Sequence, residues 1–160
     1  LMAQIVATQA IDYDLEQWNR AFAVNVTGAW QCIQAVAPSM IARGGGRIVN
    51  QASVGAYPPE GVYGITKLAV VGLTTTMARE LGGSNITVNC IAPGMTQSEA
   101  GKMLTPEGSP FRDMVVARAA GKPFGEPIDL CGTLLLLTTP AGAWLTGQTI
   151  IVDGGFVMRP

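Results

Sequence analysis

The chain contains no histidine. That absence removes the commonest general base, the Ser-His-Asp and Cys-His arrangements and most zinc sites, so no metal site is expected. Charge is scarce as well, at 13% of 160 residues with a net charge of −1. Neither sign is abundant enough to suggest binding to nucleic acid or to an anionic membrane. Cysteine is limited to Cys32, Cys90 and Cys131, odd in number, far apart and without a CxxC pair. Each lies in an apolar stretch and reads as a buried free thiol, a usage that suits a reducing cytoplasm. No apolar run approaches the ~20 residues needed to span a bilayer. The opening LMAQIVATQAIDYD has no basic segment and no cleavage site, so it does not read as a signal peptide.

What is present is a core. Hydrophobic residues make up 48% of the chain, enough for one packed domain over 1–160. Asp14 reads as an N-cap, with Glu16 in the first turn of a long helix over 15–43. Its apolar positions, Leu15, Trp18 and Phe22, then Trp30, Ile33, Val36 and Met40, recur at helical spacing but stutter around Asn25–Gly28. Two helical pieces or a kink are therefore expected there. Gly44-Gly45-Gly46 ends the helix. Short strands are expected at 47–52, 86–92 and 148–153. A helix is expected over 61–82 after the breaker cluster Tyr57–Gly61, and a buried helix over 129–137. Residues 95–127 carry Gly, Pro and Met with weak periodicity and read as a mobile lid with short helices. Trp18, Trp30 and Trp144 read as core or subunit contacts.

Strands that alternate with helices and lack period-two patterning predict a doubly wound, Rossmann-like α/β fold with a parallel sheet covered on both faces. Ligands in such sheets sit at the carboxyl ends of the strands. That rule selects Ser53, Pro93-Gly94 and Asp153-Gly154, of which Asp153-Gly154-Gly155 reads as a structural turn. Tyr63 and Lys67 lie four apart on the helix that follows Ser53, so they share a face. A phenol normally keeps its proton to about pH 10. A neighbouring ammonium favours the phenolate and tunes the group toward acid–base work.

Several stretches, in order, resemble segments of the short-chain dehydrogenase/reductase family. They are Asn25-Val-Thr-Gly28, the serine-bearing strand Arg47–Ser53, Tyr63-Gly-Ile-Thr-Lys67, Val88–Gly94, and Leu145–Gln148 with Val152–Gly155. The resemblance implies an NAD(P)-dependent oxidoreductase that interconverts a secondary alcohol and a ketone. It implies that Tyr63 exchanges the proton, that Lys67 lowers the tyrosine pKa and holds the nicotinamide ribose, and that Ser53 orients the substrate oxygen. Asn25 would hold a water linking Lys67 to solvent, unless it simply kinks its helix. Pro93, Gly94, Thr96 and Ser98 would line the nicotinamide end of NAD or NADP, although Thr96 and Ser98 stand equally as caps of a short helix. Met95, Met103 and Met114 are candidates for a substrate pocket and equally for loop packing. A homodimer or homotetramer through helices 15–43 and 61–82 is also implied.

The sequence departs from the family in one large respect. The glycine-rich turn that cradles the pyrophosphate has no counterpart here, because Gly44–Gly46 precedes a strand instead of opening a helix. The chain therefore reads as the C-terminal two-thirds of such an enzyme. The alternative is a non-catalytic binding or assembly module on the same fold. The Ser53–Tyr63 spacing is also shorter than is usual in the family, with Pro58-Pro59 in the connection.

Overall fold

A computed structural model describes residues 9–159. Helix α1 (Leu15–Phe22) passes through a π-helical turn (Ala23–Thr27) into α2 (Gly28–Ala42). Strand β1 (Gly46–Gln51) leads to α3 (Gly61–Leu81) and then β2 (Ile86–Pro93). Two short helices, α4 (Glu99–Leu104) and α5 (Pro110–Arg118), precede α6 (Cys131–Thr138) and β3 (Thr149–Val152). The three strands form one parallel sheet in the order β1-β2-β3. The fold is thus Rossmann-like α/β, as the alternation of strands and helices predicts.

Local chemistry sets the element ends. Asp14 caps α1 by accepting from the Gln17 amide at 2.7 Å, and the Gln17 side chain accepts from the Asp14 amide, a reciprocal capping box. The expected break near Asn25–Gly28 is the π turn, which begins at Ala23. At the end of α2, the Gly44 and Gly45 amides donate back to the Ile41 and Met40 carbonyls, closing the helix with a Schellman arrangement.

Strand β2 is buried along its whole length, as a central parallel strand should be. Its even-numbered residues join two apolar clusters with the helices. Ile86 and Val88 pack with Ile33, Ile48 and Ala78; Cys90 and Ala92 pack with Ala52 and Val70. Helix α3 meets the sheet through a stripe with a four-residue repeat: Val62, Thr66, Val70, Thr74 and Ala78 are all buried. The threonine hydroxyls return protons to their own helix, Thr66 to the Tyr63 carbonyl and Thr74 to the Val70 carbonyl. Each then accepts from an asparagine of a neighbouring element, Asn25 or Asn50, at 2.9 Å. Polar groups on this face are therefore paired, which removes the cost of burying them.

Several expectations require correction. Helix α6 is not buried: only Leu137 is, while Leu134, Leu135 and Leu136 are 43%, 61% and 39% exposed. A helix that is apolar all round needs cover on every side, and among the described residues α6 packs mainly against β1, β2 and its flanking turns. Of the thiols, only Cys90 is buried; Cys131 is intermediate and Cys32 exposed. Cys32 neighbours buried Ile33 but lies one helical step off the inward face. Of the two readings given for Trp30 and Trp144, core or subunit contact, their exposure leaves the second, Trp144 being fully exposed. Trp18 is half-buried and stacks on Phe22.

Candidate active site

The site forms where the sheet's strands end. Beyond β1, the Ala52 and Val54 amides still donate to the Ile91 and Pro93 carbonyls, so the β1 extension holds Ser53 rigidly beside the end of β2. Ser53 is buried. Its hydroxyl accepts from the Gly55 amide at 3.1 Å, which leaves its proton free, and the Tyr63 ring flanks the same glycine. Gly64, next to Tyr63, is needed for this approach. A side chain there would strike the backbone of Gly55 and Pro59, pushing the loop that carries Ser53 away from α3.

Tyr63 and Lys67 sit one residue along from buried Val62 and Thr66, so they fall at the edge of the inward stripe and are half-buried. Lys67 Nζ lies 5.5 Å from the Tyr63 ring centroid and donates to the Gln51 carbonyl at 3.1 Å. Burial raises the Tyr63 phenol above its ordinary value, and the Ser53 hydrogen bond only offsets this in part. Burial lowers the Lys67 ammonium. Desolvation disfavours both charged forms, and the Lys67 ammonium lies over the ring and is committed to a carbonyl.

Asn25 Nδ2 donates to Thr66 Oγ1, which in turn donates to the Tyr63 carbonyl. The π turn that carries Asn25 is thereby tied to the helix of the tyrosine. Thr66 is completely buried and had no sign in the sequence beyond its place inside the Tyr-x-x-x-Lys spacing.

A cavity of about 220 Å³ gathers most of the expected residues. Ser53, Tyr63, Pro93, Gly94, Thr96 and Ser98 all line it; Lys67 reaches the Gln51 carbonyl behind it, and Asn25 is not a lining residue. Gly94 packs against Asp153, where a side chain would collide, and its amide donates to the Val152 carbonyl at 2.9 Å. Asp153 itself accepts from the Gly155 and Val157 amides, the structural turn expected of it. Ser98 is the N-cap of α4, accepting from the Gly101 amide at 3.2 Å, whereas Thr96 caps nothing and sits 3.4 Å from the Ser98 hydroxyl. Met95 and Met114 line the cavity; Met103 does not and is largely exposed. The 95–127 segment is pinned at both ends, since Gln97 donates to the Gly125 carbonyl and Gly125 to that of Met95.

Ser53 and Tyr63 thus stand at the carboxyl ends of a parallel sheet, where α/β folds place their ligands. Comparisons with known proteins narrow the class. Residues 2–157 match the family described as enoyl-(acyl carrier protein) reductase. An uncharacterized oxidoreductase of Mycobacterium tuberculosis is 41% identical over 145 residues, covering 91% of this chain and 58% of the relative. A 3-oxoacyl-[acyl-carrier-protein] reductase of Staphylococcus epidermidis is 38% identical over 146 residues, covering 89% and 59%. Among solved structures, a gluconate 5-dehydrogenase from Burkholderia cenocepacia in complex with NADP and tartrate superposes with a TM-score of 0.87 at 32% identity, covering 93% of this chain and 59% of that one. The chain belongs to the short-chain dehydrogenase/reductase family. It spans 58% and 59% of the length of these curated relatives.

Proposed function

We propose that this chain carries the catalytic part of an NAD(P)-dependent oxidoreductase that interconverts a secondary alcohol and a ketone. The observation that carries the reading is the convergence of buried Ser53 and half-buried Tyr63 on the wall of a single cavity at the strand ends. The residues suited to the nicotinamide end of the cofactor fit that group. Pro93, Gly94, Thr96 and Ser98 offer small or hydroxyl-bearing surface on the cavity wall, and Lys67 stands beside Tyr63.

The cofactor, when bound, supplies the hydride. The chain's own residues manage the proton and the geometry. Ser53 donates to the substrate oxygen and orients it beside the phenol. Tyr63 gives its proton to that oxygen as the carbonyl carbon becomes an alcohol carbon, and takes it back in the reverse direction. Near neutral pH the phenol holds the proton that it gives to the substrate oxygen. The buried, mostly apolar wall keeps water from the reacting centre. The pinned segment 95–127 acts as a lid over the substrate end, opening about its two clamped ends. The relatives named as acyl-carrier-protein reductases and gluconate dehydrogenases support a carbonyl or alcohol substrate. We place a second copy of the chain against α1, α2 and α3, whose Leu15, Val24, Trp30, Val36 and Leu68 are exposed apolar residues.

The test is cofactor-dependent turnover of a carbonyl panel by the protein and by Tyr63→Phe. Loss of a general acid at this position lowers kcat by about 100-fold or more. Equal rates would remove Tyr63 from the chemistry.

A further inference from the structure

Two charged side chains line the cavity that holds Ser53 and Tyr63: Glu60, at the entry to α3, and Arg118, the last residue of α5. The guanidinium carbon of Arg118 lies 4.9 Å from the ring centroid of Phe156, another lining residue. Stacking engages the flat face of a guanidinium and leaves its edge of N–H donors free. Among the described residues, those donors have no hydrogen-bond acceptor, and the ion pair found in the molecule joins Lys122 to Asp129 instead.

The other stacked arginines serve as contrasts. Arg112, over Phe124, donates to the Thr105 carbonyl at 3.2 Å and does not line the cavity. Arg159, over Tyr57, faces a different cavity beside β3. Of the three, Arg118 alone combines an aromatic contact, donors that no protein acceptor takes up among the described residues, and a place on the wall of the reaction site, where it is exposed.

We propose that Arg118 is a specificity-determining residue that receives a carboxylate of the substrate, so that the substrate class is an oxo or hydroxy carboxylic acid. The reacting carbon sits at Ser53 and Tyr63, and the acid end sits at the lid helix α5. A carboxylate matches the planar fork in two parallel hydrogen bonds. Because α5 belongs to the 95–127 segment, holding the acid end also holds the lid against the site. Glu60, the other charged group on the wall, repels a carboxylate placed at its own side and so sets the direction in which the acid enters. This inference rests on the oxidoreductase reading for the position of the reacting carbon.

The experiment is calorimetric titration of the full chain with levulinate and with methyl levulinate, which differ only in the carboxylate charge and its ester cap. The acid should bind about tenfold more tightly than the ester, the effect of a charged hydrogen-bonded pair at a partly wet site. Arg118→Gln should remove that preference and leave ester binding unchanged. Arg118→Lys, which keeps the charge and loses the fork, should fall between. Glu60→Gln should leave the acid preference in place. Equal binding of acid and ester, parallel loss of both in Arg118→Gln, or no binding of levulinate would each overturn the proposal. Turnover of methyl levulinate with NADH or NADPH, abolished in Tyr63→Phe, reports on the oxidoreductase reading separately, since the ester has no carboxylate for Arg118 to hold.

Discussion

Tyr63 is subject to two opposed influences whose outcome decides its protonation state. The Ser53 hydroxyl favours the phenolate, and burial disfavours it; burial is the larger. Lys67 adds little to the phenolate side because its own charge is discouraged by burial and its ammonium is held by the Gln51 carbonyl. The folded phenol therefore titrates above the ordinary tyrosine range. Since the folded pKa is raised, the native state holds the proton in a window where the unfolded chain has lost it. Stability should accordingly fall as pH rises from about 10. Measured without added nucleotide, the phenolate absorbance step missing from Tyr63→Phe should lie above pH 10 in the parent protein. A step at or below that value would mean that the ammonium governs the phenol after all. Tyr63 and Lys67 stand out in the sequence by their four-residue helical spacing, and Ser53 by its place at the end of the strand before that helix. Thr66 does not, because its meaning depends on Asn25, 41 positions away, and no local pattern announces that pairing.

Elements show the same division between local and distant information. The cap at Asp14, the π turn near Asn25 and the glycine stop after α2 follow from a few adjacent residues, and the sequence predicts them closely. The exposure of α6 does not follow, since a run of leucines demands burial without saying which surface provides it. Asn89 is the sharper case, a polar residue in the middle of a strand with every residue buried. Its side chain donates to the Leu145 carbonyl at 2.7 Å and accepts from the Gln148 amide at 3.1 Å. It thus clips β2 to the segment that leads into β3, across 56 positions of sequence. Asn89→Ala leaves both of those part-buried backbone groups without their partner, which costs about 2 kcal/mol in total. Urea unfolding of the two proteins should show that loss as a lower midpoint with an unchanged slope. A change within about 0.5 kcal/mol, the range of surface substitutions, would show that the clip is dispensable. Asp14→Ala is a milder comparison at the same scale. Removing that cap from an exposed helix end should cost about 1 kcal/mol, with turnover unaffected, because α1 lies outside the cavity lining.

At the scale of the whole molecule, the distribution of apolar surface is the informative feature. Isolated exposed hydrophobic residues are ordinary on a globular protein, but contiguous ones call for a partner. Leu15 and Val24 are 74% and 68% exposed, and Trp30, Val36 and Ile41 continue the series along α2. Leu68 adds to it from α3, on a helix whose other face already packs on the sheet. Charged residues are few along α2, with none in its first or last turn, so nothing there opposes close contact with an identical surface. A two-fold interface would bury the same residues on both copies, and its centre would fall near Trp30, an amino acid favoured at such centres. The π turn with Asn25 joins α1 to α2 within this surface, so an interface there would be coupled to the tyrosine helix through the Asn25–Thr66 hydrogen bond. Light scattering on the full protein at micromolar concentration should therefore give a dimer or tetramer. Trp30→Glu with Leu68→Glu should reduce the mass to that of one chain while far-ultraviolet circular dichroism stays the same. The dissociated variant should also lose turnover, through loosening of α1 and α2 against α3. An unchanged mass in the double variant would assign these side chains to some other cover, and a monomer with full activity would uncouple the interface from the site.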